Sequence, residues 1–285
     1  MKAAPFAYHA PRTVEDALGV LAAEGDDARI LAGGQSLVPA MAFRMARPAV
    51  LVDINRIGGL DSLAVEEGSL GIGALVRHAR FERPVVDGPL GALLAEVARH
   101  IAHAPIRQRG TFCGSLAHAD PASEWCATAL ALDATMTVRG AAGERQIAAR
   151  DWFQGPLATA LQPGEMLVRA SLPVLEAGWR CGFAEFARRA GDFALAMAVV
   201  LLRLDEGHIA EARIVLGGVE GVPVPADDAA RMLVQGKPGA SLFARAAEAA
   251  AAACDPQSDL HADAAYRRDL VRAMVRRALM QACAA

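Results

Sequence analysis

The chain has 285 residues, a net charge of −3 and no run of five or six Lys or Arg, so a nucleic-acid or anionic-membrane partner is not expected. Hydrophobic residues make up 54% of it, ample for two folding units. The longest apolar run, Phe193 to Leu202, stops at Arg203, well short of the roughly 20 residues a membrane-spanning helix needs. Five scattered cysteines with no C-x-x-C pair argue against a disulfide framework, a structural zinc or an iron–sulfur cluster in this chain. Lys2 is followed by Pro5, Tyr8 and His9, where a secretory signal would place an apolar stretch, and a cytoplasmic location is expected.

In chain order, Thr13 caps a helix to about Glu24, ended by Gly25, and Ala28 to Leu31 forms a strand delivering a Gly33-Gly34 turn. A helix starts near Ser36 and a strand covers Val50 to Ile54, giving a β-loop-α-β unit with glycines at a helix N-terminus. From about Gly58 to Pro173 short strands and turns dominate: a hairpin turn at Glu66 to Ser69, helices over Pro89 to Ala102 and Ala122 to Leu132, and a hairpin from Ala134–Val138 and Glu144–Ile147. Pro163-Gly164 then turns the chain into a strand over Met166 to Leu172. From about Gly182 three strands are predicted, Phe193–Leu204 and Ile209–Val219 forming a hairpin through Asp205-Glu-Gly207. Helices follow around Asp227–Val234, Leu242–Cys254 and Tyr266–Cys283.

Two segments are built to bare backbone N–H groups: Leu31-Ala-Gly-Gly-Gln-Ser-Leu37 and Arg109-Gly-Thr-Phe-Cys-Gly-Ser115, which continues to Ser123. Ser36, Thr111 and Ser115 add hydroxyl donors, so the pair suits a phosphate-containing cofactor held from two sides. Neither fits a P-loop or a G-x-G-x-x-G after a strand. The only G-x-G, Gly71-Ile-Gly73, lies in a strand-like stretch and reads as a bend or bulge rather than a phosphate site.

With Leu51-Val-Asp-Ile-Asn55, Gly71 to His78, Ile106 to Ser123 and Arg188-Arg-Ala-Gly-Asp192, these segments resemble the FAD-binding medium subunit of molybdenum hydroxylases. That group includes carbon monoxide dehydrogenase, quinoline oxidoreductase and xanthine-dehydrogenase-like enzymes. The resemblance runs from about Pro5 to the C-terminus. It implies an α+β fold: two α/β subdomains sandwiching FAD in the PCMH-type, vanillyl-alcohol-oxidase-like manner, then a C-terminal antiparallel sheet with helices. The expected boundaries are 1–175, split at about 57, and 176–285.

Carried over by resemblance, Leu31, Ala32, Gly33, Gly34, Gln35, Ser36 and Leu37 line the diphosphate and ribityl side. Thr111, Phe112, Cys113, Gly114 and Ser115 form a second wall, with Asp120, Glu124 and Leu167 also contributing. Glu124 either hydrogen-bonds FAD or is an acid favouring a helix N-terminus. Phe193 either covers a flavin face or is a core phenylalanine. Phe112-Cys113 replaces the family's usual Ile/Leu-Gly, so Cys113 is either a reactive thiol near the flavin or a tolerated small residue. Gln35 stands where related covalent flavoenzymes have a histidine, which implies non-covalent FAD. His78, His100, His103 and His118 show no metal spacing. The arginines of the last helix form a solvated face, part of which could dock a partner.

The implied activity is electron relay: a large molybdopterin subunit oxidises substrate, [2Fe-2S] clusters of a small subunit pass electrons on, and FAD held by this chain delivers them to an external acceptor. A dimer of heterotrimers is the implied assembly. A stand-alone FAD-dependent oxidoreductase, and a non-catalytic scaffold that has lost FAD, are the alternatives.

Overall fold

Thr13 Oγ1 accepts from Asp16 N at 3.1 Å and fixes the start of α1 (Val14–Glu24), which Gly25 ends at a φ of 52°. In this computed structural model, which describes residues 2–284, α1 lies on a parallel sheet of β1 (Ala7–His9), β2 (Ala28–Leu31) and β3 (Val50–Asp53), with α2 (Leu37–Ala42) between β2 and β3. Burying Ala17 and Leu21 against Val50 and Val52 secures that layer. The exposed three-residue β1 was not anticipated; its pairing with β3 is visible only in the fold.

The second unit contains β4 (Leu63–Glu66), β5 (Ser69–Gly73), α3 (Pro89–His100), α4 (Ala104–Arg107), α5 (Phe112–His118), α6 (Glu124–Ala131), β6 (Thr135–Gly140) and β7 (Gly143–Ala148). It continues through α7 (Ala149–Trp152), β8 (Phe153–Gly155) and β9 (Ala158–Thr159) to β10 (Met166–Pro173). Five strands pair in the order β4-β5-β10-β6-β7, with Leu70, Ile72, Met136, Val138, Ala170 and Leu172 on the buried face. The other face is polar and open, a concavity of about 840 Å³ among residues such as Glu66, Thr137, Gln146 and Arg169.

Two expectations are corrected here. Gly71 and Gly73 make neither bend nor bulge, because β5 pairs in continuous register with β4 and β10. The glycines instead admit neighbours: a Cβ would lie 1.8 Å from Arg169 Nη2 at Gly71 and 2.3 Å from Leu60 O at Gly73. The segment read as a loop from Ile106 to Ser123 contains helix α5, because Thr111 Oγ1 accepts from Gly114 N at 3.0 Å and caps it.

The third unit is an antiparallel sheet of β11 (Trp179–Phe186), β12 (Ala196–Asp205), β13 (His208–Gly217) and the short β14 (Val224–Pro225), followed by α8 (Asp227–Leu233), α9 (Ala240–Ala253) and α10 (Ala264–Ala284). Strand β12 reads as an unbroken apolar run because both its faces are covered. Met197, Val199 and Leu201 enter the core shared with the second unit, while Ala196, Ala198, Val200 and Leu202 pack under α9 and α10. The alanine stripe of α9 and Gly182 of β11 allow close approach; a Cβ at Gly182 would lie 1.9 Å from Ala278 O.

Candidate functional site

The two glycine segments meet. Gly33 carries no side chain because a Cβ there would lie 2.5 Å from Arg109 O and 2.7 Å from Gly110 Cα, and Gly34 takes a φ of 73° that favours glycine. Beside that contact opens a cleft of about 390 Å³ lined by Leu31, Ala32, Gly33, Gly34, Gln35, Val38, Pro39, Asp53, Asn55 and Arg109. Gln35 folds over its own loop, Nε2 donating to Gly33 O at 3.0 Å. Ser36 and Leu37 sit at the start of α2, outside the lining residues.

A polar chain ties the two segments together. Arg77 donates from Nη1 to Arg109 O and from Nη2 to Asn55 Oδ1, the latter at 2.5 Å. Asn55 Nδ2 in turn donates to Ala32 O at 2.8 Å, and Asn55 N to Asp53 Oδ1 at 2.9 Å. The Tyr8 hydroxyl donates to Asp53 Oδ2 at 2.5 Å. Burial works to raise Asp53, but the hydrogen bonds from Tyr8 and Asn55 hold it below the ordinary carboxylate value. Desolvation and the nearby Arg109 charge lower the affinity of Arg77 for its proton. Two guanidinium groups, Arg77 and Arg109, and the carboxylate of Asp53 thus set the charge at this end of the cleft.

Behind the second segment the side chains form a plug. Phe112 lies 4.8 Å from Trp125 and 5.6 Å from Phe81 between ring centroids, fully buried. Trp125 Nε1 donates to His78 Nδ1 at 3.0 Å, so the neutral tautomer carries its proton on Nε2. Burial, with Arg107 and Arg77 adding to it, pushes His78 down to about 4. A Cβ at Gly110 would lie 2.5 Å from His78 Nε2, which explains that glycine.

Of the sequence-derived set, residues 31 to 35 line the cleft, and the second segment meets it through Arg109. The structure does not bring Thr111, Phe112, Cys113, Gly114, Ser115, Asp120, Glu124, Leu167 or Phe193 into that cleft. Thr111 is spent on capping α5, and Gly114 N is its partner. Cys113 is buried, donates to Ile72 O at 3.4 Å and is pushed up to about 12 by desolvation, so its thiol is held inert and away from the cleft. Ser115 O accepts from Cys126 Sγ at 3.6 Å, and Asp120 Oδ1 accepts from Ala122 N at 2.9 Å. Glu124 is buried at the first turn of α6, Leu167 is buried in β10, and Phe193 is 73% exposed ahead of β12. Asp53, Asn55, Val38, Pro39, Arg77 and Arg109 had no role assigned from sequence. The signal was present in the segments Leu51 to Asn55 and Gly71 to His78, but not the contacts that join them.

Comparisons with known proteins place the chain in a family. Residues 4–175 match the family described as FAD binding domain in molybdopterin dehydrogenase, and residues 182–282 match CO dehydrogenase flavoprotein C-terminal domain. The chain is 41% identical over 283 residues to 6-hydroxypseudooxynicotine dehydrogenase complex subunit alpha of Paenarthrobacter nicotinovorans, covering 99% of this chain and 96% of that one. It is 35% identical to the carbon monoxide dehydrogenase medium chain of Hydrogenophaga pseudoflava, covering 98% and 97%. Among solved structures it superposes on carbon monoxide dehydrogenase from Hydrogenophaga pseudoflava with a TM-score of 0.96 at 36% identity, covering 100% and 99%. Quinoline 2-oxidoreductase from Pseudomonas putida 86 gives 0.93 at 39%, with the same coverage. The two family matches and the relatives, at 35% to 41% identity over nearly the whole chain, show that the chain belongs to the FAD-binding medium subunits of molybdenum hydroxylases, as a subunit of an oxidoreductase.

Proposed function

We propose that this chain is the electron-relay subunit of its complex, taking electrons from the [2Fe-2S] clusters of a small partner subunit and passing them to an external acceptor. A large molybdopterin subunit oxidises the substrate, and the assembly is a cytoplasmic dimer of heterotrimers. No helix among the described residues is long and apolar enough to cross a membrane. The domain boundaries that serve this reading are 1–175, with subdomains about 1–57 and 58–175, and 176–285. Bound FAD supplies a redox group that accepts electrons singly or in pairs.

The observation that carries the reading is the contact of Gly33 with Arg109 and Gly110 at the head of the cleft. That close backbone packing joins the two segments beside a cleft lined by the first glycine loop, which would take the diphosphate of FAD, with Arg109 in its lining and Arg77 bonded to the Arg109 carbonyl and to Asn55. Asn55 and Asp53 hold the Ala32 carbonyl and keep the first loop in place. Gln35 offers no nucleophile for covalent attachment, and FAD is held by non-covalent contacts. Glu124, Leu167 and Phe193 belong to the flavin-side part of the site, beyond the cleft.

The test is turnover. The complex isolated through a tag on this chain is assayed with an acceptor dye against N-heteroaromatics, aldehydes and carbon monoxide, beside the isolated chain. Turnover by the complex alone supports the relay. Turnover by the isolated flavin-loaded chain overturns it and favours a stand-alone oxidoreductase.

A further inference from the structure

Asp53 ends β3, and the first glycine loop leaves β2 beside it, so the cleft opens at the carboxyl ends of two parallel strands. Open parallel sheets take their ligands at that edge. The loop and Arg109 form one part of the lining, and Asp53 with Asn55 another. A carboxylate repels a phosphate at contact distance, which leaves the loop and Arg109 as the phosphate side and gives Asp53 a different task.

The Asp53 carboxylate is held in one orientation from within the protein. Oδ1 accepts from Asn55 N at 2.9 Å and from Asn55 Nδ2 at 2.6 Å, and Oδ2 accepts from the Tyr8 hydroxyl at 2.5 Å. A carboxylate has about four acceptor positions, so these three donors leave one on Oδ2, in a half-buried residue that lines the cleft. Burial works to raise Asp53, but the bonds from Tyr8 and Asn55 keep it ionised at neutral pH. A fixed acceptor with no proton of its own calls for a neutral donor. In FAD such donors flank the diphosphate on both sides: the hydroxyls of the adenosine ribose and those of the ribityl chain.

We propose that Asp53 binds the cofactor, Oδ2 accepting from a sugar hydroxyl of FAD next to the diphosphate, while Tyr8 and Asn55 are positioning residues that aim the carboxylate. This rests on the cleft being the seat of the diphosphate. The exposed three-residue β1 then has a use: paired with β3 along Ala7–His9, it delivers the Tyr8 hydroxyl. An acidic side chain holds a ribose hydroxyl in dinucleotide-binding sheets by the same chemistry.

The experiment titrates the full-length flavin-stripped chain, by fluorescence quenching, with FAD and with FAD analogues lacking each ribose or ribityl hydroxyl in turn. Wild type and Asp53→Asn are compared. The amide is nearly isosteric and still accepts from Asn55, but its NH2 group cannot accept from a hydroxyl. Asp53→Asn is expected to weaken FAD roughly ten- to a hundredfold, the worth of a hydrogen bond to a charged group. Wild type loses the same factor with one class of analogue, and Asp53→Asn removes that preference, as a double-mutant cycle reads. The class affected names the sugar. If Asp53→Asn does not fold, judged by its melting, Asp53→Ser carries the comparison. Equal weakening of FAD and every analogue by the substitution would mean that Asp53 only props the loop, and overturns the contact. Unchanged FAD affinity overturns it too. A wild-type chain that binds no FAD overturns the reading of the cleft and this inference with it.

Discussion

Arg77 spans both glycine segments with one guanidinium, reaching Arg109 O on one side and Asn55 on the other, and Asn55 passes the constraint to Ala32 O. Removing it frees both loops at once and strips a positive charge from the cleft. Arg77→Met is expected to weaken FAD binding by roughly ten- to a hundredfold, the worth of about 1.5–3 kcal/mol for a charged hydrogen bond, as a titration of the flavin-free chain would show. Unchanged affinity would remove Arg77 from the site. This role was not legible from sequence, because residues 32, 55, 77 and 109 become neighbours only after three strands have paired. The thiols illustrate the reverse. Cys113 stands in a glycine-rich motif, which left a reactive thiol and a tolerated small residue both open, and the fold turns it into the core beside Ile72, as the second reading has it. Timed alkylation with peptide mapping should modify the partly exposed Cys283 well before Cys113 and Cys126, which are buried and pushed up to about 12, and also before Cys181, whose thiol burial pushes up to about 12 as well. Early labelling of Cys113 would mean that the α5 segment opens in solution.

Elements with local punctuation were readable. Thr13 and Gly25 bracket α1, Gly33-Gly34 follows β2, Glu67-Gly68 closes the β4–β5 hairpin, and Glu206-Gly207 closes β12–β13, all with positive φ at the turn residues where the chain reverses. Helix α5 was not readable, since its seven residues have no long apolar period and its cap, Thr111, doubled as a motif residue. Of the residues named from sequence, Leu31 to Gln35 line the cleft while Ser36 and Leu37 do not, and the second segment reaches it only through Arg109, because Phe112 and Cys113 face inward. Helix packing supplies a test at this scale. Gly182 lets α10 lie against β11, and Gly182→Ala would drive a methyl into Ala278 O. A loss of roughly 2–4 kcal/mol in unfolding free energy is expected from such overpacking, read by denaturant melts, with the flavin spectrum of the folded fraction retained. A neutral effect would mean that α10 is not seated as described.

At the scale of the whole molecule, the β11–β14 sheet is the keel. Its inner face shares a core with the FAD-binding unit and its outer face is closed by α8, α9 and α10, so the C-terminal unit cannot separate without exposing two apolar layers. The glycine cleft is lined by the first glycine loop, β3 and Arg109. Such a body holds and tunes a cofactor. Among the described residues no cluster of His, Cys, Asp and Glu is placed to bind a metal; under the proposed relay, the one-electron centres are the [2Fe-2S] clusters of a partner subunit. The most direct test of this account is the absorbance spectrum of whatever is purified through a tag on this chain from cells making the whole complex, before and after denaturation. The account predicts flavin bands from about one FAD per chain, released on denaturation, together with broad iron–sulfur absorbance from co-purifying subunits. A chain that purifies alone, colourless, and takes up no FAD on reconstitution would contradict it.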